Sequence, residues 1–415
     1  MTAQGALSRR PFAEIRLVQG LGFLYVASCL LESVRIGPTT PAQLFGLAFL
    51  GVWFVEILLR RRVLRGAGML SIPFILLIVW SLATAFWSTN PSLTLSQTAT
   101  TAFLFLSALA IADVFRDDFR TVAFGLLTGG FIAALLTLQF VEPEVELDPY
   151  VVSGAARATF AGTDQNLLGF QLTAAVAAGC YIFVTARSST SRLATLLVTA
   201  AIVAAALRVG SKTGVAALIG TAVVLLAIQA RTPKKFMLGL LAAGGGLAVY
   251  VVLSESGLIP LRIIDFLESP ELIDSRLDIV DMYMTFRDEW QIKGVGAGND
   301  AEFLMSSTGT YLNAHGAHWK IWIELGFIGL VIWLVILGVV IVGTTRLSDR
   351  RLVLLSAGPV LAYSWSLGPL NSNTLWVIIG LALSGFMAAS LRGETLHMQG
   401  GSVKAPENLV LPERT

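Results

Sequence analysis

Apolar residues fall into about twelve runs along the chain, separated by short breaks rich in charged, glycine or proline residues. The runs cover approximately 17–34, 42–59, 68–86, 93–112, 121–140, 166–186, 193–209, 213–230, 236–254, 321–343, 352–368 and 374–391. Each holds roughly 17–23 residues, enough for a helix to cross a hydrocarbon core about 30 Å thick. One stretch has a different pattern. In Asp274–Trp290, Leu277, Val280, Tyr283 and Met284 recur at helical spacing among charged residues, which predicts an amphipathic helix lying over the membrane part. It sits in the longest connection, 255–320, roughly 65 residues that are not low-complexity. Connections of that length in compact proteins are usually functional or disordered. A second connection, 141–165, opens with Glu142, Glu144, Glu146 and Asp148. No repeat of 20–50 residues is visible. Residues 1–16 form a short leading segment, and 392–415 read as a solvated, disordered tail.

Composition narrows the class. Of 415 residues, 55% are hydrophobic and 13% charged, with mean hydropathy +0.74. Soluble domains carry about 25% charged residues. A soluble enzyme, a secreted disulfide scaffold and a disordered chain are excluded, and an all-α polytopic membrane protein of about twelve transmembrane helices is expected. The net charge of +2 gives no basic field for nucleic acid. Cys29 and Cys180 both lie inside apolar runs and read as small embedded side chains. Orientation follows from the positive charges. With both termini cytoplasmic, 20 of the 29 Lys and Arg fall on inner segments, including Arg60, Arg61, Arg62 and Arg65. Five of the remaining nine lie in the one long outer loop. Arg9, Arg10 and Arg16 precede the first run, and no small-residue cleavage signature follows it, so it reads as an uncleaved anchor.

The chemistry-bearing residues gather on the outer side. Two of the three histidines, His315 and His318, close the long loop. Spacing i, i+3 puts both rings on one face if a helix has begun there. They equally suit an interfacial belt with Trp319 and Trp322. Glu324 and the loop arginines stand nearby in sequence. A histidine pair with carboxylates binds zinc, but no third ligand has zinc-like spacing, so no metal and no cofactor is expected. Basic side chains are scarce outside, yet Arg157, Arg208, Lys212, Arg262, Arg276 and Arg287 all fall there. Arginine forks match phosphate oxygens bidentately, so an anionic substrate at the outer leaflet would use them. Each alone suits a snorkelling or salt-bridged role equally well. Gly294-Val-Gly-Ala-Gly-Asn299 follows no strand of a βαβ unit, so a dinucleotide reading fails. Locally it predicts a tight turn with positive φ, returning the chain from the amphipathic helix toward His315.

Four segments resemble the superfamily of bacterial O-antigen ligases and O-antigen polymerases. The first is Arg157-Ala-Thr-Phe-Ala-Gly-Thr-Asp-Gln-Asn166, entering a span. Gly210-Ser-Lys-Thr-Gly214 opens another, with Lys212 where the family usually has arginine. Ser275-Arg276 is followed by Gly294-Val-Gly-Ala-Gly-Asn299, like the family's arginine, helix and Gly-x-Gly-x-Gly-Asn. Last comes Ala314-His315-Gly-Ala-His-Trp-Lys-Ile-Trp-Ile-Glu324-Leu-Gly326-Phe-Ile-Gly329, like Ala-His-Asn and then Glu-Leu-Gly. The Glu-Leu-Gly anchor aligns the family histidine with His315. Gly316 replaces the usual asparagine, and His318 is additional. The motif-bearing part spans about 157–330.

The resemblance implies a membrane-glycosyltransferase fold of the GT-C type, with one large extracytoplasmic loop (255–320) between spans one to nine (17–254) and ten to twelve (321–391). It implies a multi-pass protein of the bacterial cytoplasmic membrane whose active site faces the periplasm or the cell exterior. The donor would be a glycan on polyprenyl diphosphate and the acceptor a sugar hydroxyl on another lipid-linked glycan, with no nucleotide sugar. His315 would be the general base, and Arg276 and Arg157 would stabilise the departing diphosphate. Arg208, Lys212, His318, Glu324, Asn166 and Asn299 would bind substrate, and Asp164 and Asp300 are alternatives for the acceptor. The arginines would stand in for a divalent metal, and attack opposite the diphosphate would invert the anomeric centre. Polymerisation of a surface polysaccharide is the first expectation, ligation onto a lipid-linked core the second. Twelve spans also suit a transporter of polysaccharide or lipid-linked sugar. Against transport stand the absence of repeat symmetry and of a convincing carboxylate at any span centre.

Overall fold

The computed structural model describes residues 17–60, 68–139, 164–209, 211–229, 271–314, 316–345 and 371–400, with Thr232, Lys234 and Met237 besides. Within these, the side chains of residues 60, 68–70, 212, 213, 216, 227–229, 271–277, 345 and 388–400 are outside the description. The described chain is helical: α1 Leu17–Ser28, α2 Pro41–Arg60, α3 Gly68–Ala83, α4 Pro91–Val114, α5 Phe119–Gln139, α6 Gln165–Thr185, α7 Ser189–Val209, α8 Lys212–Gln229, α9 Glu271–Thr285, α10 Arg287–Trp290, α11 Asp300–Thr308, α12 Ala317–Thr345 and α13 Asn373–Gly400. Among the described residues no strand forms; Ile36 and Thr39 make one isolated bridge. Among the described residues, six helices are long and apolar enough to cross a membrane: Pro41–Leu59, Pro91–Val114, Phe119–Gln139, Gln165–Thr185, Ser189–Val209 and Ala317–Thr344. Four shorter apolar helices, Leu17–Leu31, Ser71–Phe86, Ala217–Leu226 and Asn373–Met387, occupy further predicted runs. The predicted runs 236–254 and 352–368 lie outside the described residues.

Packing follows the physics of helices in an apolar solvent. Lipid tails are as apolar as leucine, so helices gain by close approach rather than by expelling water. α1, α5, α6, α7 and α8 pack on one another, and α3, α4, α12 and α13 form a second group. α1 and α2 join the two groups. Close approach needs small residues. A methyl on Gly129 would overlap the Ala27 carbonyl, and one on Gly130 would overlap the Ala175 side chain. The buried core carries runs such as Ala174, Ala175, Ala177 and Ala178 for the same reason. Many of the polar groups buried here are tied, while Trp333 Nε1 has no hydrogen-bond partner among the described residues. Trp53 Nε1 donates to Asp113 at 3.1 Å, and Thr137 returns its hydroxyl to the Ala133 carbonyl at 2.7 Å.

Residues 279–323 contribute a second, smaller core beyond one end of the bundle: Tyr283, Trp290, Val295, Phe303, Leu304, Ala314 and Ile323. We call this part the cap. The expected amphipathic helix forms, but in two pieces. α9 stops at Thr285, Phe286 leaves helical geometry, and α10 restarts at Arg287. Of its predicted stripe, Tyr283 is buried, Val280 and Met284 are half-buried, and the Leu277 side chain is outside the description. Two boundaries correct the sequence reading. α12 starts at Ala317 and is interrupted at Gly326, where φ is +69° and ψ −173°. α13 runs on to Gly400, past residue 392 where a disordered tail was expected, because a polar helix can continue beyond its apolar face.

Candidate functional site

The interruption at Gly326 organises the cap. Breaking the ladder there leaves carbonyls at the end of the first two turns of α12 without their helical donors. Three are satisfied from outside. Val295 N donates to Ile323 O at 2.9 Å, Gly296 N to Glu324 O at 2.8 Å, and Trp80 Nε1 of α3 to Leu325 O at 2.7 Å. On the far side of the break, Phe327 N donates to Gln291 O at 2.9 Å, an oxygen that Trp322 Nε1 also reaches at 2.9 Å. The segment Gln291–Gly296 thus lies backbone to backbone along the broken helix.

This explains the glycines. Gly294, Gly296 and Gly298 have φ of +76°, +108° and +76°, as the tight-turn reading expects. What periodicity did not reveal is the crowding. A Cβ on Gly294 would overlap the Glu324 carbonyl, one on Gly326 the Ile292 carbonyl, and one on Gly296 the Ser88 side chain. The loop is seated on the bundle by further bonds. Trp87 Nε1 donates to Gly294 O at 3.0 Å, and Ala297 N to Thr84 Oγ1 at 3.3 Å. Asn90 caps α4 through Leu93 N at 3.1 Å, with Pro91 in the first helical position. The same Asn90 donates its own N–H to Asn299 Oδ1 at 2.8 Å and its amide to Glu302 at 3.1 Å.

Asn299 was expected to bind substrate. It is fully buried, and its Nδ2 donates to Thr94 Oγ1 at 2.7 Å and Ala297 O at 3.1 Å. With both ends of the amide engaged, its work is to lock the loop. Asp300, the next residue, is also fully buried, accepting from Ala314 N at 2.8 Å and Lys320 Nζ at 2.9 Å. Lys320 Nζ stands 3.3 Å from Glu324 Oε1. That contact is an ion pair outside hydrogen-bond geometry, and Oε1 accepts no hydrogen bond among the described residues. Tyr283 donates its hydroxyl to Leu312 O at 2.9 Å. Burial, with Asp300 and Glu324 nearby, holds its phenol protonated far above the ordinary range.

A cavity of about 30 Å³ opens beside Lys320 and Glu324, lined also by Gln97, Thr101, Gly298 and Asn371. It is large enough to hold water-sized groups. Asn371 Nδ2 donates to Gln97 Oε1 at 2.5 Å on its wall.

His318, in the first turn of α12, is half-buried, and its buried Nδ1 has no hydrogen-bond partner among the described residues. His315 and Arg157 lie outside the described residues, as do the side chains of Arg276 on α9 and Lys212 at the start of α8. α12 begins at Ala317, so His318 stands in its first turn, and the face expected for His315 beside it lies outside the described residues. Asn166 accepts from Ser211 Oγ at 3.1 Å, which pairs the first turns of α6 and α8. Ser211 also caps α8 through Gly214 N at 3.1 Å, placing Lys212 in its first turn. Asp164, an alternative acceptor ligand, caps α6 through Leu167 N at 2.9 Å. Arg208, in the last turn of α7, donates to Leu138 O near the end of α5 at 3.4 Å.

The geometry therefore brings Asn299, Glu324 and His318 into one neighbourhood, and puts Asn166, Lys212 and Arg208 at helix ends of the same face of the bundle. Further hydrogen bonds between helices lie in the same part of the bundle. Gln171 and Thr374 both reach Cys29 O, at 3.3 and 3.2 Å, and Glu32 accepts from Thr374 N at 3.2 Å. Asn371 reaches Gln97 at the cavity. Sequence reasoning did not single out Lys320. Its signal was there: Lys320 and Glu324 are an i, i+4 pair opening an apolar run, where unpaired charge is costly. Among the described residues, no three His, Cys, Asp or Glu side chains gather at metal-ligating reach. No protein-family model matches the chain, and no curated protein matches it.

Proposed function

We propose that the chain is a membrane glycosyltransferase of the cytoplasmic membrane. It moves a glycan from polyprenyl diphosphate to a sugar hydroxyl on a second lipid-linked glycan, building a surface polysaccharide. The fold is of the GT-C type with about twelve spans. One observation carries this reading: the segment Gly294–Gly329, whose residues carry the resemblance, is welded into a single unit at the bundle face where Asn166, Arg208 and Lys212 also end. In the reaction, the acceptor oxygen attacks the anomeric carbon and the bond from that carbon to the diphosphate oxygen breaks. The hydroxyl proton passes to His315, and the diphosphate departs with its electron pair toward Arg157 and Arg276. Lys320 and Glu324 pair on the first turns of α12, and Asn299, buried with its amide engaged at both ends, locks the glycine loop.

The test supplies purified protein with a polyprenyl-diphosphate oligosaccharide in EDTA and follows glycan length on a gel. Growth of a ladder is expected, falling about 10²–10⁴-fold in His315→Ala and about 10²–10³-fold in Arg276→Ala. Turnover only with a second lipid-linked acceptor would mark a ligase. Lack of turnover with several donors, together with transbilayer movement of labelled lipid in liposomes, would replace the reading with transport. The helix break at Gly326 is the feature a transporter would share, although it lies at the cap end of α12 and not at its middle.

A further inference from the structure

One ammonium group ties together three parts of the cap. Lys320 Nζ is 2.9 Å from Asp300 Oδ1, 3.3 Å from Glu324 Oε1 and 3.5 Å from Asn313 Oδ1. The other oxygen of Asp300 accepts from Ala314 N at 2.8 Å. Two residues earlier, Leu312 O accepts from the buried Tyr283 hydroxyl. Leu312, Asn313 and Ala314 have no regular structure of their own, so these bonds are what fix them. After His315 in the sequence comes Gly316, at φ +94°, whose carbonyl accepts from Lys320 N at 2.9 Å to open α12. The Asp300 side chain has no exposed surface and that of Lys320 is 16% exposed, so neither gains from water what it would lose by parting.

We infer that Asp300 and Lys320 are positioning residues: together they clamp the segment Leu312–Ala314 that delivers His315 to the acceptor hydroxyl. This rests on the reading of His315 as the base. Tyr283 is the third anchor of the clamp. A base must sit within hydrogen-bond reach of the proton it removes, and a displacement of 1 Å costs on the order of 10²-fold in rate. The segment has no helix or strand ladder to hold it, so an ion pair anchored on α11 and α12 takes that part.

Hydrogen exchange of the whole protein in detergent tests this without depending on activity. In the wild type the Ala314 amide is expected to exchange slowly although it lies in a loop; fast exchange would overturn the clamp. Lys320→Met and Asp300→Asn are then compared, the second keeping an oxygen for the Ala314 N–H in case the first does not fold. Faster exchange confined to 309–317 is expected, with 291–299 unchanged. A general loosening of both segments, or no change in either, would overturn the inference. In the transfer assay, kcat should fall about 100-fold with KM for the donor within twofold. Local loosening with undiminished kcat would overturn the link to His315 while leaving glycan transfer standing. Local loosening in a protein whose wild type transfers nothing would sink the transferase reading and leave only the clamp on Leu312–Ala314.

Discussion

In the bundle, the closest approaches run through glycine and alanine, with Gly129 against the Ala27 backbone and Gly130 against Ala175. In the cap, Gly294, Gly296 and Gly326 allow equally close approaches, and hydrogen bonds to the backbone then fasten them. Trp80, Trp87, Trp290 and Trp322 each give an indole N–H to a main-chain carbonyl, and Gln291–Gly296 lies along the broken α12. The difference teaches what each solvent demands. Inside an apolar medium, contact distance is the available source of affinity, so side chains shrink. At the bundle end, irregular backbone has to be satisfied group by group, and tryptophan supplies a broad apolar ring with one donor.

Substitutions can break that contrast at its strongest point first. Gly326→Ala puts a Cβ on the Ile292 carbonyl at φ +69°. Left-handed strain and overpacking together should cost about 3 kcal/mol or more. Thermal unfolding in detergent would register it, and protease digestion would show the cap released before the bundle. Gly129→Ala is the bundle's counterpart: separation of α1 and α5 should cost up to about 3 kcal/mol, with the cap's exchange rates unchanged. Equal loosening of cap and bundle in either variant would mean that the two regions are one cooperative unit. Trp87→Phe keeps the ring's bulk and leaves Gly294 O without its donor, for about 1–2 kcal/mol. Its effect should be confined to exchange at 292–298. Gly51→Ala is the smallest. A methyl there meets open space, so the helix should gain roughly 0.5–1 kcal/mol; destabilisation would mean that this face of α2 packs on something.

Those sites also show where sequence was legible. The run expected at 93–112 is α4 at Pro91–Val114, because an apolar stretch between a capping asparagine and the next polar break has one helical reading. Positive φ at Gly294, Gly296 and Gly298 was legible for the same local reason. Gly326 was not. A glycine in an apolar run reads as an ordinary small residue, and only the approach of Ile292 makes it a break point. Lys320 was legible in part: its i, i+4 partner Glu324 is local, while its shorter contact, to Asp300, spans twenty residues. Asn299 reads as a ligand from its polarity and its place in a motif; its saturated amide depends on Asn90 and Thr94, some two hundred residues earlier.

The pairing of Gln291–Gly296 with Ile323–Phe327 has a topological consequence. It closes the chain between them into a ring fastened at its neck, with α11, the His315 region and the first turns of α12 inside the loop so formed. The entropy of closing a flexible ring rises only as the logarithm of its length, about 0.6 kcal/mol per doubling. Residues inserted near the exposed Gly309 would therefore lengthen the ring at little cost, while one residue inserted at the neck would slip the register of every backbone bond there. The neck fixes where the chain leaves and rejoins the bundle, and the ring is where added length costs least.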